Sequence, residues 1–305
     1  MASVIIRGST PRLMRPGLRD TFGLMYAQLP DQWSNLYEHH SSTLNYEEDQ
    51  QIITMGLATI KNESASTTYD DVKQGYPSRY LHVAYSLGFI ISREQVADNL
   101  YLKTAEIKTK GLAFSMAVTK NYNGANIFNF AYSTDADHLG GDGVSLLNTA
   151  HPTESGNMSN TFAVSADMSE SSLEDMIIQI QDARDPKNKK MALRETALLI
   201  PIQLQFEAER ILRNPQRPNS AERDINAMFS MGRFPQGIYI NNFLTSTTQW
   251  YALTTCPNSL NYFEREALEF SDDNDFDTDN MKFKVYERYS FGWSDWRGVY
   301  GSGNV

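Results

Sequence analysis

The chain has 305 residues, of which 41% are hydrophobic and 11% aromatic, enough to bury a core as one large domain or two ordinary ones. Its 37 acidic side chains outnumber 27 basic ones, and a formal net charge of −10 argues against a general nucleic-acid binder, which needs a basic face. A single cysteine, Cys256, excludes an internal disulfide and a cysteine-built zinc site. No apolar run approaches the roughly 20 residues of a membrane span, and the first residues lack a signal-peptide pattern, so a soluble protein of a reducing cytoplasm is expected.

Taken in order, residues 1–32 are punctuated by Gly8, Pro11, Pro16, Gly17 and Pro30 and hold no helical period. Arg7, Arg12, Arg15 and Arg19 make this start basic, which fits either a frayed terminus or an arm that orders on an acidic neighbour. Trp33, Leu36 and Tyr37 are the first residues expected on the body. A strand is expected over Ile52–Ile60, then a turn at Lys61-Asn62-Glu63-Ser64 and a polar stretch through Tyr69, Asp70, Asp71 and Tyr76. Leu81, Val83, Tyr85, Leu87, Phe89 and Ile91 alternate strictly, the period of a half-buried strand. Residues 52–91 thus make a two-stranded excursion. A lone hairpin is marginal in water, so it must lie on its own chain or on a neighbouring copy, and composition does not choose between them.

Ser92 and Gln95 form a capping-box start. Val96, Leu100, Ile107, Phe114, Val118, Tyr122 and Ala125 then recur at helical spacing, predicting a rod from Ser92 to Ala131 with one apolar face. If continuous it is about 60 Å long at about 1.5 Å per residue. Residues 132–168 lack periodicity. A second capping box, Ser171 with Glu174, opens a helix through Leu173, Met176, Ile177 and Ile180 that stops by Pro186. A basic turn, Lys187-Asn188-Lys189-Lys190, precedes a strand at Ala197–Ile200. Pro201 then opens a helix through Leu204, Ala208, Ile211 and Leu212. Strands follow at Gly237–Ile240, Gln249–Thr254 and Phe283–Trp293, with a possible return strand at Val299-Tyr300 after the turn Asp295-Trp296-Arg297-Gly298. The fold class is α+β.

Little in this order carries chemistry. Asp135, Asp137, His138, Asp142 and His151 are hard ligands within a short span, and a metal-dependent enzyme built on Asp135, Asp137, His138 and His151 is the alternative reading. Gly- and Asp-rich turns of this kind are commonplace, however. The run Asp272, Asp273, Asp275, Asp277, Asp279 alternates as in a calcium loop but lacks the glycine and the final glutamate of that loop. No G-x-S-x-G, phosphate-cradling or dinucleotide fingerprint is present. Cys256 reads as a buried structural thiol, and no cofactor is indicated.

Several segments share their wording and order with one family. Gly88-Phe89-Ile90-Ile91-Ser92-Arg93-Glu94 with Asp98-Asn99-Leu100-Tyr101 resembles a strand-to-spine-helix junction, and Asp142-Gly143 with Leu146 through Pro152 resembles the loop leaving that helix. Leu199-Ile200-Pro201 with Leu204, Glu207, Ala208, Ile211 and Leu212, then Asp224-Ile225-Asn226, Trp250-Tyr251 and Asp295 through Gly298, continue the series. Together they resemble the major capsid proteins of tailed bacteriophages, with the Mu-like major head subunit group as the nearest likeness and the Hong Kong 97-type capsid fold. The resemblance implies an N-terminal arm (1–45), an extended hairpin loop (46–91), a peripheral domain with the spine helix (92–168), an axial domain (169–268) and return strands of the peripheral domain (269–305). It implies a structural, non-enzymatic protein that assembles with itself into pentamers and hexamers, in the bacterial host cytoplasm, as an icosahedral shell around double-stranded DNA. A ring-forming tail or adaptor protein is the other alternative. The loop and arm would reach neighbouring subunits, placing Arg12, Arg15, Arg19, Lys61, Tyr69 and Tyr76 at inter-subunit contacts. The sequence leaves no room for the long scaffolding segment the family often carries, so a separate scaffolding protein is expected, with a portal and a possible decoration protein. Lys61 is the candidate donor for the Lys–Asn cross-link some members form, without a matching partner site. The acidic balance suits a shell that encloses DNA without gripping it.

Overall fold

Two four-stranded sheets and one long helix position everything else in the computed structural model, which describes residues 10–97, 101–216, 224–275 and 278–303. The first described element is helix α1, Thr10–Gln28, where no helix was expected from the Pro and Gly punctuation. Pro11 sits in the first turn, where its missing N–H costs nothing. Pro16 lies in the helix interior, a cost of about 3 kcal/mol. Burial of Leu18 and Phe22 against the long helix α3 described below offsets it, at about 1.5–3 kcal/mol each. The arm, over residues 10–28, is therefore docked on its own chain. Trp33, Leu36 and Tyr37 are buried as expected, and Asn121 of α3 accepts from the Gln32 amide (3.0 Å) and donates to the Pro30 carbonyl (3.2 Å).

Strand β1, Glu38–Ser41, is followed by β2, Tyr46–Ile53, and β3, Lys73–Leu81, which pair antiparallel. The strand expected at Ile52–Ile60 is displaced: it ends at Ile53, and residues 54–72 form an irregular loop. After the single residue His82, β4, Val83–Ile91, leaves the hairpin and pairs along nine residues with β11, Met281–Trp293. The alternation read as one strand is thus two, with the partner changing at His82. His82 fixes the junction, its ring nitrogens 3.0 Å from Ser290 Oγ and 3.1 Å from Ser42 Oγ.

The spine comprises α2, Arg93–Ala97, and α3, Tyr101–Asn129. Ser92 Oγ accepts from the Gln95 amide at the start, while Leu100 and the Val96 side chain lie outside the described residues. The apolar face expected from the sequence is largely the wrong one, although its Ala125 is buried and its Val118 half-buried. Ile107, Phe114 and Tyr122 are exposed, and the buried face is Ala105, Thr109, Leu112, Ala113, Met116, Lys120, Asn121, Ala125 and Phe128. Two stripes have helical spacing. The body selects the one whose small residues allow close approach: a Cβ on Gly124 would stand 2.6 Å from the Trp33 Cβ.

After the spine come the short hairpin β5 (His151–Thr153) and β6 (Gly156–Met158), and α4, Glu170–Gln181. The cap of α4 is Ser169 with Ser172 and not Ser171 with Glu174: the Ser169 hydroxyl accepts from the Ser172 amide and the Ser172 hydroxyl from the Ser169 amide. That phase buries Leu173, Met176, Ile177 and Ile180. Then follow β7 (Glu195–Pro201), α5 (Gln205–Arg213), α6 (Ala227–Ser230), β8 (Ile238–Asn241) and β9 (Trp250–Thr254). Pro201 closes β7 and leads through a 3-10 turn into α5. Strand β10, Leu260–Asn274, was not anticipated. It pairs with β11, and its last residues, Asp272 and Asp273, belong to the aspartate run. The chain ends with β12, Val299–Ser302, which does not return along β11 but joins β9.

The first sheet has the order β1-β10-β11-β4 and the second β12-β9-β7-β8. One core lies between them, with Trp33, Phe128, Tyr251, Tyr262, Tyr289, Trp293 and Trp296. A second core fills the space between the second sheet and α4, α5 and α6. A third packs α1 and α3 on the outer half of the first sheet.

Candidate assembly surface

The stem of the β2–β3 hairpin is clamped to the body by residues whose identities the sequence explains only in hindsight. Tyr80 is buried, its hydroxyl 2.5 Å from Ser294 Oγ and accepting from Asn261 Nδ2 at 3.1 Å. Gly292 is bare where the Tyr80 ring lies, since an added Cβ would fall 2.6 Å from it. Gly141 meets the backbone of Pro77 in the same way, at 2.3 Å from its carbonyl oxygen. On the other side, the Arg79 guanidinium sits 4.0 Å above the Tyr46 ring.

Beyond this stem the loop carries apolar side chains into solvent. Ile60 is 94% exposed, Tyr69 91%, Leu57 80% and Ile52 63%, with Met55, Val72 and Tyr76 also exposed. Single exposed apolar residues are ordinary, but several on one short loop mark an interaction surface. Of the sequence-predicted contact residues, Lys61, Tyr69 and Tyr76 share this hairpin and are all exposed. Arg19 is exposed on α1, a separate element, and the side chains of Arg12 and Arg15, within the α1 span, lie outside the described residues. Met55, Leu57, Ile60 and Val72, also exposed, were not among the residues expected there. Their signal was an apolar content inconsistent with the Ser/Thr-rich polarity around them.

The same loop is tethered to its own chain by polar contacts. Asp70 Oδ2 accepts from the Gly56 amide at 2.7 Å and from Lys187 Nζ at 2.8 Å. Lys187 also donates to the Asp71 carbonyl, Lys189 to Thr54 Oγ1 (3.2 Å) and to the Met55 carbonyl, and Lys73 pairs with Glu154. Lys187, then the Gly56 and Asp71 amides, hold the Asp70 carboxyl far below the usual carboxylate range.

The enzyme alternative fails on geometry. Of Asp135, Asp137, His138, Asp142 and His151, the structure pairs Asp142 with His151, and among the described residues no group of three or more His, Cys, Asp or Glu could hold a metal ion. His138 stacks on Phe130 with ring centroids 4.1 Å apart. His151 is fully buried on the Trp296 ring, its Nδ1 2.7 Å from Asp142 Oδ2 and its Nε2 3.2 Å from Asn160 Oδ1. Asn160 in turn donates to the carbonyls of Leu146, Trp296 and Val299, so His151 ties the loop after the spine to the final strand. The cleft between stem and body, of about 400 Å³, is lined by Asp142, Glu154 and Arg297, which are already engaged with His151, Lys73 and Asp295. Burial pushes the Cys256 thiol up, away from the nucleophilic thiolate.

A buried ion pair between the spine and the first sheet is architectural. Lys120 of α3 donates to Glu287 Oε2 of β11 at 3.2 Å, and its ammonium lies about 5 Å from the rings of Trp33, Tyr262 and Tyr289. Burial raises the Glu287 pKa despite the lysine beside it. The lysine partner accounts for a glutamate on the buried face of β11, between Val285 and Tyr289.

The profile of the family described as phage capsid protein matches residues 76–302. The chain belongs to that family. It is a structural capsid protein and not an enzyme. Among curated proteins no significant match was found. Among solved structures it is similar to the virus-like particle from Pyrococcus furiosus at 11% identity, covering 94% of this chain and 98% of that one with a TM-score of 0.55. It is similar to the procapsid of bacteriophage JBD30 (13% identity, 98% and 77% covered, TM-score 0.54) and the capsid of a native GTA particle (10%, 90% and 91%, 0.57). At these identities the likeness is one of fold, the Hong Kong 97-type shell fold. No helix among the described residues of this capsid protein is long and apolar enough to cross a membrane.

Proposed function

We propose that this capsid protein closes its shell through the 54–72 loop, which lies over a neighbouring copy and covers its apolar side chains there. The observation that carries this is the exposure of Leu57, Ile60 and Tyr69 on a stem held rigidly to the body. Burying each would contribute roughly 1.5–3 kcal/mol, repeated at every copy of a ring. Lys61, Tyr69 and Tyr76 would lie in that contact, and Arg12, Arg15 and Arg19, within the span of α1, would meet an acidic surface. In this reading residues 92–168 with 269–305 make the peripheral part of the subunit, residues 169–268 the axial part that meets at the centre of pentamers and hexamers, and residues 1–45 and 46–91 the arm and loop. The Mu-like subgroup, enclosure of double-stranded DNA, assembly in the host cytoplasm, and a separate scaffolding protein, portal and decoration protein belong to the same reading. Sedimentation and negative-stain microscopy of the purified chain over a concentration series test it. Rings or closed shells are expected, and a monomer that persists at high concentration would refute it.

A further inference from the structure

The basic turn at residues 184–190 is built in advance of any ligand. Asp185 Oδ1 accepts from the Lys187 amide (3.0 Å) and the Lys189 amide (2.8 Å), and the Asp185 amide donates to the Lys189 carbonyl (2.8 Å). Asn188 takes the left-handed conformation, φ 66°, that lets the turn close. The body holds it from both sides, through the Ser155 amide on the Pro186 carbonyl and Arg297 Nε on the Arg184 carbonyl. A rigid turn of this kind presents two ammonium groups, Lys187 and Lys189, at fixed positions.

What they grip is the loop. We infer that the 184–190 turn is a receptor for the acidic base of the loop, where it leaves β2 and re-enters β3, retaining residues 54–72 on their own subunit until a neighbouring copy takes them. The chemistry is complementary: Lys187 meets the Asp70 carboxylate and the Asp71 carbonyl, while Lys189 meets Thr54 and Met55 on the opposite arm of the loop. Asp70 also bonds the Gly56 amide, so one carboxylate ties both arms of the loop to the turn. Every one of these contacts is polar, and they leave Leu57, Ile60 and Tyr69 uncovered. The grip therefore holds the loop in place without satisfying its apolar surface. Exposed ion pairs are individually weak, so apolar burial on a neighbour can displace them.

This inference rests on the proposed reach of the loop to a neighbour, and the test separates the two. In unassembled Asp70→Cys/Lys187→Cys protein, a short bis-maleimide should join the two thiols within one chain, Cys256 being buried. Peptide mass identifies the link. Linked chains should yield at least about tenfold fewer particles than the unlinked double variant under the same conditions. Equal yields, or no intrachain link, would overturn the receptor. So would an unlinked variant that folds but cannot assemble, since the contact would then belong to the finished shell. Hydrogen exchange supplies the arm independent of assembly: Lys187→Glu should speed exchange across residues 54–72 by about tenfold or more, and unchanged exchange would also overturn it. Wild-type protein that forms no particles would defeat the reading of the preceding subsection while leaving the exchange result to judge this one.

Discussion

Replacing Leu57 and Ile60 by serine separates folding from assembly. Both side chains are almost wholly in solvent, 80% and 94% exposed, so the isolated subunit should lose no more than about 0.5 kcal/mol. If a neighbour covers them, each contributes roughly 1.5–3 kcal/mol to that contact. Interface area converts to affinity incompletely, so the lower bound is the one to use: about 3 kcal/mol for the pair. That is about a hundredfold in the concentration at which particles form, each 1.4 kcal/mol being tenfold. Urea titration followed by far-ultraviolet circular dichroism measures the first quantity, and light scattering over a concentration series the second. An unchanged urea midpoint with a threshold raised by two orders of magnitude is expected. A double variant that assembles at the wild-type threshold would show that these residues remain in solvent in the shell.

Lys120→Met strands the Glu287 carboxylate among aromatic rings and should cost about 3–5 kcal/mol, whereas Lys120→Met with Glu287→Leu should recover much of it; denaturant titration of the three chains decides. The Glu287 pKa is raised by burial, so its contribution is fully present below the ordinary carboxylate range and is lost as pH rises through the raised value. Glu287→Gln should accordingly flatten that part of the Tm-versus-pH curve, and an unaltered slope would remove Glu287 as its source. Gly141→Ala places a methyl 2.3 Å from the Pro77 carbonyl, a backbone atom that cannot rotate away. A loss of about 1–3 kcal/mol and faster hydrogen exchange in β3 should follow. Asp142→Ala removes one partner of buried His151 and should lower stability by about 1–3 kcal/mol, with no metal-dependent signal in calorimetry for either chain.

Much of this architecture was legible in the residues, and the failures have physical causes. The strands at 195–201, 250–254 and 281–293 were read because their apolar runs are buried on both sides or alternate cleanly. The spine was read as a helix but turned the wrong way. Periodicity reports that an apolar stripe exists, and only tertiary packing selects between two, here in favour of alanines and a lysine whose countercharge lies 167 positions away. Helix α1 was missed because Pro16 and Gly17 are local penalties, whereas its support comes from Phe270 and the spine, distant in sequence. Strand β10 was missed because its middle, Glu264 to Glu269, is polar and bulged, and β11 imposes its conformation. The loop was legible as an unsupported excursion. Its grip by Lys187 and Lys189 was not, since a run of lysines in a turn ordinarily faces only water.

The single-residue passage from β3 to β4 at His82 has a mechanical consequence. Nothing resembling a pivot separates the hairpin from the first sheet, so tension on the loop runs straight along the backbone into the nine-residue ladder with β11. Pulled lengthwise, such a ladder is loaded in shear, all of its rungs at once, and not unzipped from one end. If a neighbouring copy holds the loop as proposed, a container swollen from within would load this ladder in each subunit.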